Sequence, residues 1–99
     1  MLIEQPISGE TRETRLRRLA MRSMRRGIKE MDVILSRFAQ TRLQELETPL
    51  LDSYDALLRE SDHDLYYWVS AVSEPPENFA PIVTRIRVML KEEGGAAPH

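Results

Sequence analysis

The 99-residue chain predicts an all-α protein, a small five-helix bundle. Three observations carry that reading. Apolar residues recur at helical spacing in five successive segments, each segment is bounded by a capping residue, a proline or a glycine, and no stretch alternates apolar with polar residues between hairpin turns. There is no internal repeat, and no heptad run long enough for a coiled coil.

Residues 1–10, with Pro6, Ser8, Gly9 and no periodicity, read as a flexible N-terminal arm. Residues 11–92 form one helical domain, and 93–99 a flexible C-terminal tail. The first helix starts at Thr11 or Thr14, either of which caps through its hydroxyl. Leu16, Leu19, Ala20 and Met24 give it an apolar stripe, with Arg15, Arg17, Arg18, Arg22, Arg25 and Arg26 around it. Gly27 is expected to close it in the left-handed conformation, where a glycine carries no Cβ penalty.

The second helix is expected from Ile28 to Leu46, on a stripe of Ile28, Met31, Leu35, Phe38, Ala39, Leu43 and Leu46. Thr48 and Pro49 then start a third, because threonine caps and proline suits the first helical turn. It carries Leu50, Leu51, Tyr54, Leu57 and Leu58 to about Glu60. Ser61 or Asp62 caps the fourth, with Leu65, Trp68, Val69 and Val72 at i, i+3, i+4 and i+7 before the break at Pro75-Pro76. Asn78 caps the fifth, where Phe79, Ile82, Val83, Ile86, Met89 and Leu90 form a broad apolar face and Gly94-Gly95 stops the helix. Met21, Met24, Met31 and Met89 read as core or near-core filling, and Trp68 as a core anchor.

Composition bounds the function. With 41 % apolar and 30 % charged residues the chain reads as globular rather than disordered. It has no cysteine, hence no disulfide framework, thiolate metal site or thiol nucleophile. No apolar run reaches the roughly 18 residues of a membrane span. The opening Met1-Leu2-Ile3-Glu4 lacks the order of a signal peptide, and Glu4, Glu10 and Glu13 argue against a transit peptide, so a bacterial cytoplasmic location is expected. The charge of −2 hides a division: residues 1–42 hold ten Lys/Arg against five Asp/Glu, a net of +5, and residues 43–99 hold four against eleven, a net of −7. Such a dipole permits a basic face for an acidic partner.

Catalysis finds little support. His63, between two aspartates, reads as a solvent-facing residue of a first helical turn, and His99 is the last residue. No phosphate-cradling glycine loop, Gly-x-Ser-x-Gly elbow or His-Glu-x-x-His pair is present, and Asp52 with Asp55 reads as a solvated face. The chain is not expected to be an enzyme, and no metal or cofactor site is read. The arginines of the first helix have three readings: a solvated basic face, a protein-partner surface, or contacts to nucleic acid or lipid. No aromatic interleaves with them to stack bases, and nucleic acid is not the expected partner.

The stretch Arg26-Gly27-x-x-Glu30, followed by Met31-Asp32 and an apolar helix reaching Arg37-Phe38, resembles the Arg-Gly-x-x-Glu signature of the succinate dehydrogenase flavinylation (FAD assembly) factors. Asp62-x-Asp64-Leu65-x-x-Trp68 is similar to that family's downstream pattern, and the likeness covers roughly residues 15–90. It implies a five-helix chaperone that binds the flavoprotein subunit of succinate dehydrogenase, and in some bacteria that of fumarate reductase; a monomer is expected, with Val33 and Val88 as the apolar positions through which the chain could self-associate. Such a protein promotes covalent attachment of FAD to a histidine of that partner, so the flavin belongs to the partner and is not held stably by this chain.

Carried over, the partner-binding residues are Arg26, Gly27, Ile28, Glu30 and Asp32, with Arg26 and Glu30 offering charged contacts and Gly27 a close approach. The same residues also admit a purely structural reading. Gly27 is then a helix stop, and Glu30 compensates the helix dipole and pairs with Arg26. Two other functions compete, a small regulatory or antitoxin-like interaction protein and a basic nucleic-acid module.

Overall fold

The computed structural model describes residues 9–93 and is all-helical there. Helix α1 spans Arg12–Arg22, α2 Lys29–Thr41, α3 Thr48–Leu57, α4 Asp62–Val69 and α5 Ala80–Glu92, with short 3₁₀ turns at Leu43–Glu45 and Glu77–Phe79. Helix α2 packs against α1, α4 and α5, and α5 also against α3 and α4, so these two helices hold the centre. The Gly94-Gly95 stop and most of the N-terminal arm lie outside the described residues. Glu10, at the inner end of that arm, pairs with Arg18 at 2.9 Å.

Thr11 caps α1 by accepting from the Thr14 amide at 3.0 Å. The helix ends at Arg22, earlier than the sequence suggests. Ser23 stops it: its amide donates to the Leu19 and Ala20 carbonyls, and its buried hydroxyl donates to Leu19 O at 2.8 Å. That proton being spent, the Tyr54 phenol donates to Ser23 Oγ at 2.6 Å. Burial pushes this phenol up to about 12, so it stays a donor.

The left-handed residue of this turn is Arg25, at φ 58°, and not Gly27. A side chain in that region is unfavourable, and the Asp32 carboxylate offsets the cost by accepting the Arg25 amide at 2.9 Å.

Met31, Ile34, Leu35 and Phe38 bury one face of α2. The helix stops at Thr41 instead of reaching Leu46, and the 3₁₀ turn still buries Leu43 and Leu46. Two apolar residues three apart satisfy either helix type, and the Arg12 guanidinium favours the break by donating to the carbonyls of Gln44 at 3.0 Å and Leu46 at 2.6 Å.

Helix α3 is capped at Glu47 rather than Thr48, with Pro49 in its first turn, and sets Tyr54 against Phe38 at a centroid distance of 5.4 Å. Ser61 caps α4, and Trp68 packs on Phe79 at 5.9 Å. Val72 leaves the stripe: α4 ends at Val69, Ala71 turns left-handed at φ 66°, and Val72 is exposed. The cap of α5 is Phe79, since the preceding 3₁₀ turn takes up Asn78.

Candidate partner-binding site at the α1–α2 junction

The junction begins with what the first helix does with its arginines. Arg15 pairs with Asp52 at 2.6 Å and approaches Asp55 at 3.7 Å, Arg18 reaches Asp55 at 3.4 Å, and Arg22 meets it at 2.5 Å. Asp55 is therefore buried under arginines and is not part of a solvated face. Burial alone would raise its pKa, but the hydrogen bond from Arg22 and the charge of Arg18 outweigh that and hold the carboxyl below its usual value. Most of the basic face seen in the sequence is thus neutralised inside the protein.

Arg26 is likewise committed. Its Nε donates to Asp62 Oδ1 at 2.8 Å, and its Nη1 and Nη2 reach the carbonyls of Leu58 at 3.1 Å and Glu60 at 3.5 Å. It thereby satisfies carbonyls left open where α3 ends, and its side chain is only 13 % exposed. The second oxygen of Asp62 accepts the Gly27 amide at 2.5 Å. A Cβ on Gly27 would lie 2.9 Å from that oxygen, so a larger residue here would displace the Asp62 carboxylate, and glycine is favoured by that closeness and not by a left-handed φ. Asp62 is a clamp across the corner, joining residues 35 and 36 positions apart.

The other motif residues divide. Ile28 packs against the core as the N-cap residue of α2. Asp32 faces inward, accepting from the Arg25 amide and from Ser36 Oγ at 3.3 Å. Glu30 has no ion pair or hydrogen bond among the described residues, so the pairing with Arg26 expected as one possibility does not form, and Asp62 has taken that arginine. The structure brings Arg26, Gly27 and Asp62 together and leaves Glu30 as an unneutralised carboxylate on the rim. Reasoning from the sequence missed the clamp role of Asp62, although its place in the second motif was the available signal.

Met31 and Met89 are fully buried, but Met21 and Met24 are 68 % and 45 % exposed, which corrects their expected place in the core. Met21 lies on the side of α1 away from the Arg15, Arg18 and Arg22 pairs with α3, and Met24 lies beyond the end of the helix. His63 is exposed, and no group of three or more His, Cys, Asp or Glu among the described residues is placed to hold a metal. No helix among them is long and apolar enough to cross a membrane.

Fold and corner together define a small all-α protein with a braced helix junction at which Glu30 is unpaired among the described residues. More narrowly, the chain belongs to the family described as flavinator of succinate dehydrogenase, whose model matches residues 17–90. Among curated relatives it is 43 % identical over 94 residues to succinate dehydrogenase assembly factor 2, mitochondrial, of Scheffersomyces stipitis, covering 90 % of this chain and 62 % of that protein. It is 44 % identical over 72 residues to the protein of the same name from Schizosaccharomyces pombe, covering 73 % and 52 %. For that of Meyerozyma guilliermondii the values are 52 % over 63 residues, 64 % and 47 %. The chain thus spans about half the length of the relatives it matches.

These relatives are mitochondrial proteins of fungi by name, which overturns the expected bacterial cytoplasmic location. The expectation rested on the charge pattern of the opening residues, which lie outside the matched stretch 17–90, and a few acidic side chains there do not select a compartment.

Proposed function

We propose that this chain is an assembly factor that binds the flavoprotein subunit of succinate dehydrogenase and promotes covalent attachment of FAD to it. The family match over residues 17–90 supports the reading, and the observation that carries it to a site is the Asp62 clamp: Arg26 and Gly27 are fixed while Glu30 is left unpaired. A rigid corner presenting one unneutralised carboxylate loses little entropy on docking. It also offers a partner cation a contact that no residue of this chain already uses.

In this reading the chain is a chaperone and the chemistry is the partner's. Two backbone donors at the corner are spent internally, Gly27 on Asp62 and Arg25 on Asp32, and the flavin is assigned to the partner. The factor acts by differential binding, favouring the partner conformation in which flavin and acceptor histidine are held together. The flavoprotein of fumarate reductase is a second partner of the same chemistry.

The test incubates apo-flavoprotein subunits of both enzymes with FAD, with and without this protein, and reads covalent flavin by in-gel fluorescence. Faster attachment with the wild-type chain and its loss with Glu30→Ala are expected. Equal attachment with and without the chain would sink the proposal. Retardation of DNA or RNA with a steep salt dependence would favour the nucleic-acid reading instead.

A further inference from the structure

The exposed apolar residues are unevenly placed. Among the described residues the large exposed ones include Met21, Met24 and Val33. Met21 and Met24 line a groove between α1 and α2 of about 260 Å³, with Ala20 and Ala39 also in its wall and Arg17 and Gln40 contributing polar groups. Val33 lies one turn before Arg37 and two before Gln40, and so continues the exposed side of α2 from the groove toward Glu30. Methionine is the apolar side chain best able to adapt its shape to another surface.

The charges at the groove differ from those on the opposite side of α1. Arg15, Arg18 and Arg22 are neutralised by carboxylates. Arg17, in the groove wall, and Arg25, next to Met24, are exposed and have no side-chain partner among the described residues. Glu13, one turn before Arg17, makes no ion pair with it. Asp32 is turned to the Arg25 amide and to Ser36, which leaves the Arg25 guanidinium open. An occupant that satisfies this surface brings apolar side chains for the methionines and carboxylates for the two arginines.

We propose that the α1–α2 groove is a second docking site for the flavoprotein, seating an acidic, apolar segment of that partner beside the Arg26–Glu30 corner. The inference rests on the proposed function and deepens it. Met24 precedes Arg26 by two residues and Val33 follows Glu30 by three, so corner and groove present one continuous face. The corner supplies a carboxylate to the partner, and the groove supplies apolar contact with the Arg17 cation in its wall, Arg25 adjoining it through Met24. This opposite polarity fixes the orientation in which the two proteins meet.

The experiment titrates the 99-residue chain into the apo-flavoprotein subunit and compares wild type with Met21→Glu/Met24→Glu and with Arg17→Glu. All three substitutions are at exposed positions, so thermal melts stay within a few degrees of wild type. The double methionine variant is expected to bind about tenfold or more weakly, and Arg17→Glu to weaken binding most at low salt.

Wild-type affinity in both variants would overturn the groove while leaving the assembly-factor reading standing. Failure of the wild-type chain to bind the flavoprotein would overturn that reading first. A concentration-dependent dimer that the methionine variants abolish, with flavoprotein binding unchanged, would assign the groove to a second copy. Tighter flavoprotein binding on removal of residues 1–8, reproduced by the methionine variant, would assign it to the chain's own N-terminal residues. Either result would overturn the proposal.

Discussion

Two regions of this molecule use the same side chains to different ends. In the seam between α1 and α3, Arg15, Arg18, Arg22 and Arg59 gather within 2.5–3.7 Å of the buried Asp55. At the α1–α2 corner, Arg26 is taken by Asp62 at 2.8 Å while Glu30 remains unpaired. The seam closes its charges internally, whereas the corner leaves Glu30 and the Arg25 guanidinium without a side-chain partner among the described residues. Charge density along the sequence is therefore a poor guide to a binding surface in this protein; the better guide is the charge that remains once internal pairs are counted.

The largest effect should come from breaking the seam. Asp55→Ala leaves several arginines facing a site without a counter-charge, and the expected loss is about 3 kcal/mol, read as a lower urea midpoint. Acid acts on the same carboxyl. Because its pKa in the folded protein lies below the ordinary value, its contribution is complete above about pH 4 and is lost as pH falls through the folded value. Urea midpoints measured between pH 2 and 6 should fall on the acid side for wild type and fall less for Asp55→Asn. An identical acid profile in the two proteins would remove Asp55 from this role.

A smaller effect should come from disturbing the clamp. Gly27→Ala places a Cβ 2.9 Å from Asp62 Oδ2 and should cost about 1–2 kcal/mol, because the short aspartate must give up its place between Arg26 Nε and the Gly27 amide. Asp62→Ala removes both the obstacle and the clamp. The double variant should therefore be less destabilised than the sum of the single ones, with a coupling of about 1 kcal/mol in a cycle of urea denaturations. Strict additivity would show that the two residues do not act together.

The smallest effect on stability, and the sharpest separation of the regions, should come from Glu30→Gln. A half-buried carboxylate with no ion pair or hydrogen bond among the described residues contributes little to folding, so the change should stay within about 0.5 kcal/mol, while covalent flavin in the partner drops. Loss of stability with normal flavin attachment would reverse the assignment and make Glu30 a structural residue.

Much of this was legible in the residues. The five helical segments follow from apolar spacing, and their starts from Thr11, Pro49 and Ser61, because periodicity and capping are local properties of a few neighbouring residues. The ends of α1 and α2 were misjudged for a definite reason. Ser23 stops the first helix through Tyr54, 31 positions away, and Arg12 draws off the carbonyls at the end of the second, 32 and 34 positions away. Val72 falls off its stripe because the chain turns at Ala71, where neither proline nor glycine marks the turn.

The sequence by itself therefore determined the fold class, the core made by residues such as Leu35, Phe38, Leu65 and Ile86, and the family, whose model matches residues 17–90. Only the tertiary structure decided that Gly27 lies close against Asp62, that Asp62 and not Glu30 receives Arg26, and which arginines are left without a side-chain partner among the described residues. The physical reason is range. Helix formation and amphipathicity depend on neighbours three or four residues apart, but whether a charge is spent or available depends on partners that only folding brings within about 4 Å.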